Sequence, residues 1–195
     1  MNNNIKILAF AGSTRKDSFN KMLLKNAING VDGKSAEVTY IDLRDYQLPI
    51  YDGDYEIEKG IPENGIKLKE LLRNHDGLMI ASPEYNSSIS AVLKNTIDWI
   101  SRPEEGRTHL DCFDGKTAAL MSASPGALGG LRGLAALRSI LGNIKVIALP
   151  DQIAIPGADK AFDQNGILID DIQRKAVEGL GEKLVDITSK LKNQS

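Results

Sequence analysis

The sequence has little of what extracellular, membrane-bound or nucleic-acid-binding proteins use. It contains one cysteine among 195 residues, so no internal disulfide can form. Its 24 basic residues are offset by 26 acidic ones, and this balance provides no positive field for nucleic acid or an anionic membrane surface. The opening MNNNIKILAF lacks the charged n-region and the long apolar h-region of a signal peptide. The most apolar stretch, 117–141, is interrupted by Pro125, Arg132 and Arg138, so no transmembrane segment is predicted. We therefore expect a cytoplasmic protein that binds neither nucleic acid nor membrane.

Metal ligands and hydrolytic motifs are also scarce. The two histidines, His75 and His109, are distant in the sequence, and together with Cys112 they do not have the spacing of a metal-binding motif. No metal site is therefore predicted. Both imidazoles are expected to be solvated rather than catalytic. A hydrolase with Ser122 or Ser124 as nucleophile is disfavoured because no G-x-S-x-G elbow is present.

The length suits one domain, spanning 1–195, that can bury a core without disulfides or metals. Short apolar runs predict strands at 5–11, 36–41, 77–81, 116–122 and 145–149. Helical periodicity predicts helices at 18–30, about 66–72, 89–100, 128–141 and 170–191. The segment 42–62, rich in Pro, Gly, Asp and Tyr, is predicted as an irregular loop that is too long to be a mere connection.

Regular alternation of strands and helices predicts an α/β fold. We expect a doubly wound, five-stranded parallel sheet with helices on both faces. Ligands of such sheets bind beyond the carboxyl ends of the strands, where the strand order reverses. The loops after the first, third and fourth strands are therefore the candidate binding loops.

The loop after the first strand, GSTRKDSFN at 12–20, is rich in groups that bind phosphate. Ser13, Thr14 and Ser18 provide hydroxyls, Arg15 a guanidinium and Asn20 an amide, beside the free N–H groups of a helix start. Lys21 in the first turn opposes the helix dipole, a conflict that a bound phosphate would relieve. The loop matches neither G-x-G-x-x-G nor G-x-x-x-x-G-K-[ST], which indicates a single terminal phosphate. An ordinary polar turn with a serine cap is the alternative.

The other two loops suit a flat heteroaromatic ligand. SPEYNSS at 82–88 carries Pro83, Tyr85 and Asn86, which make a stiff turn with an aromatic ring and an amide. SPGALGG at 124–130 has three glycines, whose backbone can approach a ligand closely. The alternatives are a tight turn with an incidental tyrosine and a glycine-rich helix start that serves packing alone.

GSTRKDSFN, PEYNSSISAVLKNTIDW and SASPGALGG, in this order and spacing, resemble the NADPH-dependent FMN reductase family of flavodoxin-like proteins. The family includes quinone, azo-dye and chromate reductases, and the resemblance covers about 5–149. It implies that the FMN phosphate is held by Ser13, Arg15, Ser18 and Asn20. It implies that the isoalloxazine ring is bordered by Pro83, Glu84, Tyr85 and Asn86, with Ser124 and Gly126 at its other edge. Lys94, Asn95 and Trp99 are left out because they belong to a core-facing helix.

The resemblance also implies an activity. Bound FMN would take a hydride from NADPH or NADH and reduce a small acceptor (a quinone, an azo compound, a metal oxyanion or free flavin) by a ping-pong mechanism, with no catalytic side chain. Family members are commonly homodimers or homotetramers. A flavodoxin-like FMN electron carrier without NAD(P)H oxidation is the alternative, although a net charge of −2 offers no strongly acidic docking face. The segment 102–115 departs from a minimal family member, and no role is predicted for it.

Overall fold

Five parallel strands form the central sheet of the computed structural model, which describes residues 4–31, 33 and 36–193. In chain order the elements are β1 (Ile5–Ala11), α1 (Phe19–Asn29), β2 (Ala36–Asp42), α2 (Gly53–Lys59), α3 (Glu63–Arg73), β3 (Gly77–Ala81), β4 (Glu84–Tyr85), β5 (Ser88–Ile89), α4 (Ala91–Ile100), β6 (Thr117–Ala123), α5 (Leu131–Asn143), β7 (Ile147–Ile155), α6 (Ala158–Ala161) and α7 (Asp171–Lys192). Residues 1–3, part of the segment in which no signal peptide is predicted, lie outside the described residues. Across the described ranges, no helix combines the length and the apolar character that a membrane span requires.

The strand order of the sheet is β2-β1-β3-β6-β7, and every neighbouring pair is parallel. The chain passes from β1 to β2 on one side and then to β3 on the other side, so the order reverses between β1 and β3. The predicted flavodoxin-like, doubly wound sheet is confirmed. The reversal places the loops after β1 and β3 side by side at the carboxyl edge of the sheet.

Side chains that alternate along β1 build one core on each face of the sheet. Ile7 and Ala9 pack with residues of α1 and α7, whereas Leu8 and Phe10 pack with residues of α3, α4 and α5. The inner strands β3 and β6 are buried at every position, which explains their continuous apolar sequences. The sheet is therefore packed on both faces and positions the loops at its ends.

The fifth strand of the sheet, predicted at 145–149, differs most from its prediction. It is β7, which begins at Ile147 and continues past Pro150 to Ile155. A register irregularity lies opposite Ala118 and Leu120 of β6. Because β7 is an edge strand with this irregularity, it tolerates a proline that a central strand would not.

Two helices begin later than predicted. The helix expected at 89–100 is α4, which begins at Ala91 because Ile89 pairs within the β4–β5 hairpin and Ser90 is the N-cap. The helix expected at 128–141 is α5, which spans Leu131–Asn143 because the two glycines before it, Gly129 and Gly130, have positive φ angles. In both cases the delay is caused by a loop structure at the carboxyl edge of the sheet.

The segment 42–62 contains more regular structure than the irregular loop predicted. Leu43–Asp45 forms a 3-10 turn, and α2 follows with Asp52 as a hydrogen-bonding N-cap. The Pro49 carbonyl accepts hydrogen bonds from Trp99 Nε1 at 2.7 Å and from Asn95 Nδ2 at 2.8 Å. The buried Trp99 therefore packs, as expected, and fastens this segment to α4.

The segment 102–115 closes over α3 through ionic and hydrogen-bonded contacts. Arg73 of α3 pairs with Asp111 at 2.7 Å, and Lys69 Nζ donates to the Arg102 carbonyl at 2.6 Å. Within the segment, burial raises the pKa of the Cys112 thiol to about 11. The thiol is therefore protonated at neutral pH and serves packing.

The prediction that both histidines are solvated is wrong for His75. Its ring is buried, with one nitrogen 2.6 Å from the Leu71 carbonyl and the other 2.8 Å from the Thr39 hydroxyl. The end of α3 places this ring over β2, where both nitrogens find partners. His109 is exposed, as expected.

Candidate functional site

A cleft of about 200 Å³ opens at the carboxyl edge of the sheet, where the loops after β1, β3 and β6 meet. Eight of the ten predicted site residues line its wall: Ser13, Arg15, Ser18, Asn20, Pro83, Glu84, Tyr85 and Ser124. Asn86 and Gly126 lie outside this wall. Phe19, Ala123 and Pro125 also line the cleft, and the sequence analysis missed them although each adjoins a predicted residue.

Side-chain hydrogen bonds hold the three loops relative to one another. The Ser90 hydroxyl donates to the Gly12 carbonyl at 2.6 Å, which joins the start of α4 to the β1–α1 loop. Asn20 Nδ2 donates to the Ala123 carbonyl at 2.9 Å, and Asn20 Oδ1 accepts from the Ala123 N–H at 3.0 Å. Because both ends of the Asn20 amide bond to the end of β6, its main contribution is to position the loop.

The Glu84 carboxylate ties the β4–β5 hairpin to the N-terminus of α5. Glu84 Oε2 accepts from the Gly133 N–H at 2.9 Å, and Glu84 Oε1 pairs with Arg132 Nη2 at 3.0 Å. Burial alone would raise the pKa of this carboxyl, but the Gly133 N–H and the Arg132 guanidinium hold the pKa below its usual value. Glu84 is therefore an anion at neutral pH, and its charge is matched inside the chain.

The β1–α1 loop is the part of the cleft with free donors. Ser18 is the N-cap of α1, yet its side chain makes no capping hydrogen bond, so the N–H groups of Phe19 and Asn20 lack a side-chain cap. The Arg15 guanidinium is exposed and has no ion pair with any residue that the structure describes. These groups and the buried Ser13 hydroxyl together form a donor set suited to a phosphate.

The sequence argument that a phosphate relieves the charge of Lys21 is wrong. Lys21 Nζ pairs with Asp42 at 2.5 Å, and Asp42 also accepts from Arg44 at 3.0 Å. Burial alone would raise the pKa of Asp42, but these two cations hold the pKa below its usual value. The phosphate prediction therefore depends on Ser13, Arg15 and Ser18 and not on Lys21.

Asn86 and Ser87 form the tip of the β4–β5 hairpin, with φ angles of 51° and 64°. Two consecutive positive φ angles are typical of two-residue hairpin turns, whose twist matches that of the strands. The turn takes Asn86 away from the cleft wall and leaves Tyr85, which is 54% exposed, at the rim.

The glycines of the β6–α5 loop serve two different purposes. A Cβ on Gly130 would lie 1.9 Å from Ser122 Oγ, so this glycine is required for packing. Among the described residues, a Cβ on Gly126 would meet only Ser124 Oγ, at an ordinary contact distance of 3.6 Å, so packing does not require this glycine. Ser122 is fully buried beneath Gly130 and does not line the cleft, which argues against Ser122 as a nucleophile.

A recess of about 310 Å³ adjoins the cleft at the start of α4. Ser13, Arg15 and Tyr85 border both spaces, whereas Thr14 and Val92 line the recess but not the cleft. Ligand pockets commonly enclose about 300–1,000 Å³, so the two spaces together can hold a ligand with a charged end and a planar end. Neither Thr14 nor Val92 is among the predicted site residues, so the recess extends the predicted site.

Comparison with known proteins relates this chain to a family of flavin enzymes. The family described as NADPH-dependent FMN reductase matches residues 5–160. An NAD(P)H-dependent FMN reductase of Pseudomonas aeruginosa is 38% identical over 181 residues, which cover 91% of this chain and 92% of the relative. A 2-hydroxy-1,4-benzoquinone reductase of a Burkholderia species is 31% identical over 180 residues, which cover 92% of this chain and 93% of the relative. The solved structure of FerB, a flavoenzyme NAD(P)H:(acceptor) oxidoreductase from Paracoccus denitrificans, has a TM-score of 0.77 at 28% identity, with 95% of this chain and 98% of FerB covered.

Proposed function

The chain belongs to the NADPH-dependent FMN reductase family, and we propose that it binds FMN in the cleft at the carboxyl edge of its sheet. NADPH or NADH is the electron donor, and a small molecule is the acceptor. The observation that carries the proposal is the meeting of three loops around one cleft in which Arg15 and Ser18 offer unused donors. Such donors bond to water until a ligand supplies acceptors and displaces that water.

The donor chemistry at one end of the cleft fits the phosphate of FMN. Arg15 supplies a positive charge, and the Ser13 and Ser18 hydroxyls supply short polar contacts. The uncapped N–H groups at the start of α1 favour an anion through the helix dipole. Asn20 holds this loop against β6 and so keeps the donors together.

The other end of the cleft fits a planar ring. Pro83 and Tyr85 lie on one side and Ser124 lies on the other, and Gly126 leaves space beyond the wall. The Glu84 carboxylate keeps the hairpin in place by bonding to α5. Asn86 is at the hairpin tip outside this wall, so its place at the ring edge rests on the family resemblance alone.

When bound, FMN supplies the redox chemistry, since it accepts a hydride from a nicotinamide and returns electrons to an acceptor. The chain's own residues bind and orient the reactants. We propose that backbone N–H groups near Tyr85 and Asn86 stabilise negative charge on the ring, as fixed dipoles do in other enzymes. No side chain acts as a nucleophile or proton donor in this proposal.

Donor and acceptor use the same open side of the cleft in turn. The half-exposed Tyr85 lies at the rim on that side. Sharing one site gives ping-pong kinetics. The acceptor is a quinone, an azo compound, a metal oxyanion or free flavin, and the relatives named quinone reductase favour a quinone as the first one to assay.

The proposal is tested by adding FMN to the purified protein, desalting it and recording the visible absorption spectrum, followed by anaerobic NADPH. A retained flavin band that bleaches is the expected result. A retained band that neither NADPH nor NADH bleaches would indicate an electron carrier, and a protein that retains no flavin would contradict the proposal.

Steady-state rates with varied NADPH and varied benzoquinone test the shared site. Parallel double-reciprocal lines are expected for a ping-pong mechanism. Intersecting lines, which indicate a ternary complex, would contradict the shared site while leaving FMN binding intact.

The proposal also includes assembly as a homodimer or homotetramer in the cytoplasm, as the family resemblance and the lone Cys112 suggest. Light scattering of the FMN-loaded protein over a range of concentrations tests the assembly. A mass that stays near 21.2 kDa would exclude it.

A further inference from the structure

A second cleft, of about 630 Å³, lies on the α1 side of the sheet, near the end of the edge strand β2. We call it the basic cleft, after the four cations in its wall, Lys16, Lys21, Lys25 and Arg44. The loop 164–167 forms its opposite side. The basic cleft shares Ser18 with the proposed FMN cleft, so the two spaces meet at the β1–α1 loop.

Two of the four cations are free to bind a ligand. Lys21 and Arg44 both pair with Asp42, whereas Lys16 and Lys25 are exposed and have no ion-pair partner within the described ranges. Asp17 is the other acidic side chain of the wall. The basic cleft therefore has an excess of positive charge in a chain whose net charge is −2.

Tyr40 adds an aromatic surface to the basic cleft. It lies on the same face of β2 as Asp42 and is 38% exposed. Desolvation raises the pKa of its hydroxyl, so the hydroxyl is protonated at neutral pH and can donate a hydrogen bond. Lysines beside an exposed aromatic ring suit a ligand that has both a phosphate and a flat base.

The strand order relates the basic cleft to the FMN cleft. From β6 through β3 and β1 to β2, the carboxyl edge presents Ser124, Pro83, Arg15 and then the basic cleft. Neighbouring strands are about 4.8 Å apart, so the ring end of the FMN cleft is roughly 10–15 Å from the basic cleft. An extended ribose–diphosphate–ribose unit can bridge this separation.

We propose that the basic cleft binds the adenosine end of NADPH, with Lys16 and Lys25 against the 2′-phosphate and Tyr40 against the adenine. This inference rests on the proposed function, because it takes a nicotinamide nucleotide as the electron donor. A phosphate monoester carries a charge close to −2 at neutral pH, whereas NADH has only a hydroxyl at this position. The basic cleft therefore selects NADPH over NADH.

The kinetic test uses the FMN-loaded enzyme and both nucleotides. Lys16→Ala and Lys25→Ala should each raise KM for NADPH roughly 3- to 10-fold, and the double variant roughly 10- to 100-fold. KM for NADH should change roughly twofold at most in all three variants. Lys175→Ala removes an exposed lysine of α7 outside both clefts and is the matched control. Equal effects on the two nucleotides, or no effect on either, would overturn the inference.

The binding test does not depend on flavin chemistry. Calorimetric titration of 2′,5′-ADP should show binding to the wild-type protein, with affinity at least roughly tenfold lower in the double lysine variant. Inorganic phosphate and 5′-AMP should bind more weakly than 2′,5′-ADP. Equal affinity for all three would identify a general anion site and overturn the inference.

The two tests separate this inference from the proposed function. If the protein retains no FMN but binds 2′,5′-ADP through Lys16 and Lys25, the proposed function fails and the basic cleft keeps its assignment. If bound FMN is reduced equally well by NADPH and NADH and 2′,5′-ADP does not bind, the basic cleft loses its assignment and the proposed function stands.

Discussion

The two edges of the central sheet carry cavities of similar volume that differ in how their polar groups are bonded. The carboxyl-edge cleft encloses about 200 Å³ and the amino-edge cavity about 250 Å³. At the amino edge, the Lys116 ammonium donates to the His75 carbonyl, and the Thr117 and Thr188 hydroxyls bond to each other at 2.5 Å. At the carboxyl edge, the Ser18 side chain makes no capping hydrogen bond to the N–H groups at the start of α1.

This difference separates groups that stabilise the fold from groups that bind a ligand. Where polar groups are already paired, a ligand must replace existing hydrogen bonds and gains little. Where donors have no partner among the described residues, a ligand displaces only water and can supply a charged acceptor. Substitutions at the amino edge should therefore change stability, and substitutions of free donors at the carboxyl edge should change binding. Cavity volume by itself does not identify the site.

The largest effect on stability is expected for Gly130→Ala. Gly130 lies at the carboxyl edge but serves packing, so it is an exception to the rule that this edge serves binding. Its φ of 93° and the 1.9 Å approach of a Cβ to Ser122 Oγ predict a loss of about 3 kcal/mol in the free energy of unfolding. Urea unfolding measures it. Gly142→Ala, in α5 with open space around it, is the control and should stabilise the protein by about 0.5–1 kcal/mol. Equal stabilities of the two variants would contradict the packing role of Gly130.

Arg15→Ala should weaken FMN binding without lowering the stability of the flavin-free protein. Loss of a charge-assisted contact of about 1.5–3 kcal/mol raises the dissociation constant roughly 10- to 150-fold. Fluorescence titration of FMN measures the constant. Arg107→Ala, which removes an exposed arginine from the segment 102–115, should leave it unchanged. An unchanged constant in Arg15→Ala would remove the β1–α1 loop from the site.

Thr188→Val, at the amino edge, should lower the stability of the protein without weakening FMN binding. The substitution keeps the side-chain volume but leaves the buried Thr117 hydroxyl without its partner, which should lower the free energy of unfolding by about 1–2 kcal/mol. Affinity for FMN should be that of the wild type. A large loss of FMN affinity with normal stability would contradict the claim that groups at the amino edge stabilise the fold and do not bind the ligand.

Glu84→Gln should have the smallest effect, about 1 kcal/mol in the free energy of unfolding at neutral pH, because an amide still accepts from Gly133. Since the pKa of Glu84 is lower in the folded protein than its ordinary value of 4.5, its stabilisation is complete above that value. The stabilisation is lost as the pH falls through the folded pKa. Urea unfolding of the variant and the wild type should therefore converge in acid. Glu58→Gln, at an exposed glutamate, is the control. If the stabilities of Glu84→Gln and the wild type still differ in acid, the ionic contact of Glu84 with α5 is contradicted.

The strands that bear the site could be predicted because they are buried on both faces. β1, β3 and β6 are nearly continuous apolar sequences, and their alternation with helices determines which loops meet. The edge strand β7 could not be delimited, because Pro150 and Asp151 interrupt its pattern and are tolerated only at an irregular edge.

The sequence could also predict which loops form the candidate site, but not which side chains in them are free. Asn20 and Arg15 are both polar residues of one loop. Asn20 is bonded to Ala123 and Glu84 to Gly133, and both partners are far away in the sequence. Only the fold brings such partners together. The buried His75 was mispredicted for the same reason, because Thr39 reaches it from β2.

Binding of FMN and of riboflavin to the flavin-free protein tests most directly whether the carboxyl-edge cleft holds FMN by its phosphate. The two ligands share the ring and differ only in the phosphate, so their affinities isolate the contribution of the free donors. FMN should bind at least roughly 100-fold more tightly than riboflavin, since two charge-assisted contacts of about 1.5–3 kcal/mol each depend on the phosphate. Equal affinities, or no binding of FMN, would contradict the assignment of the cleft.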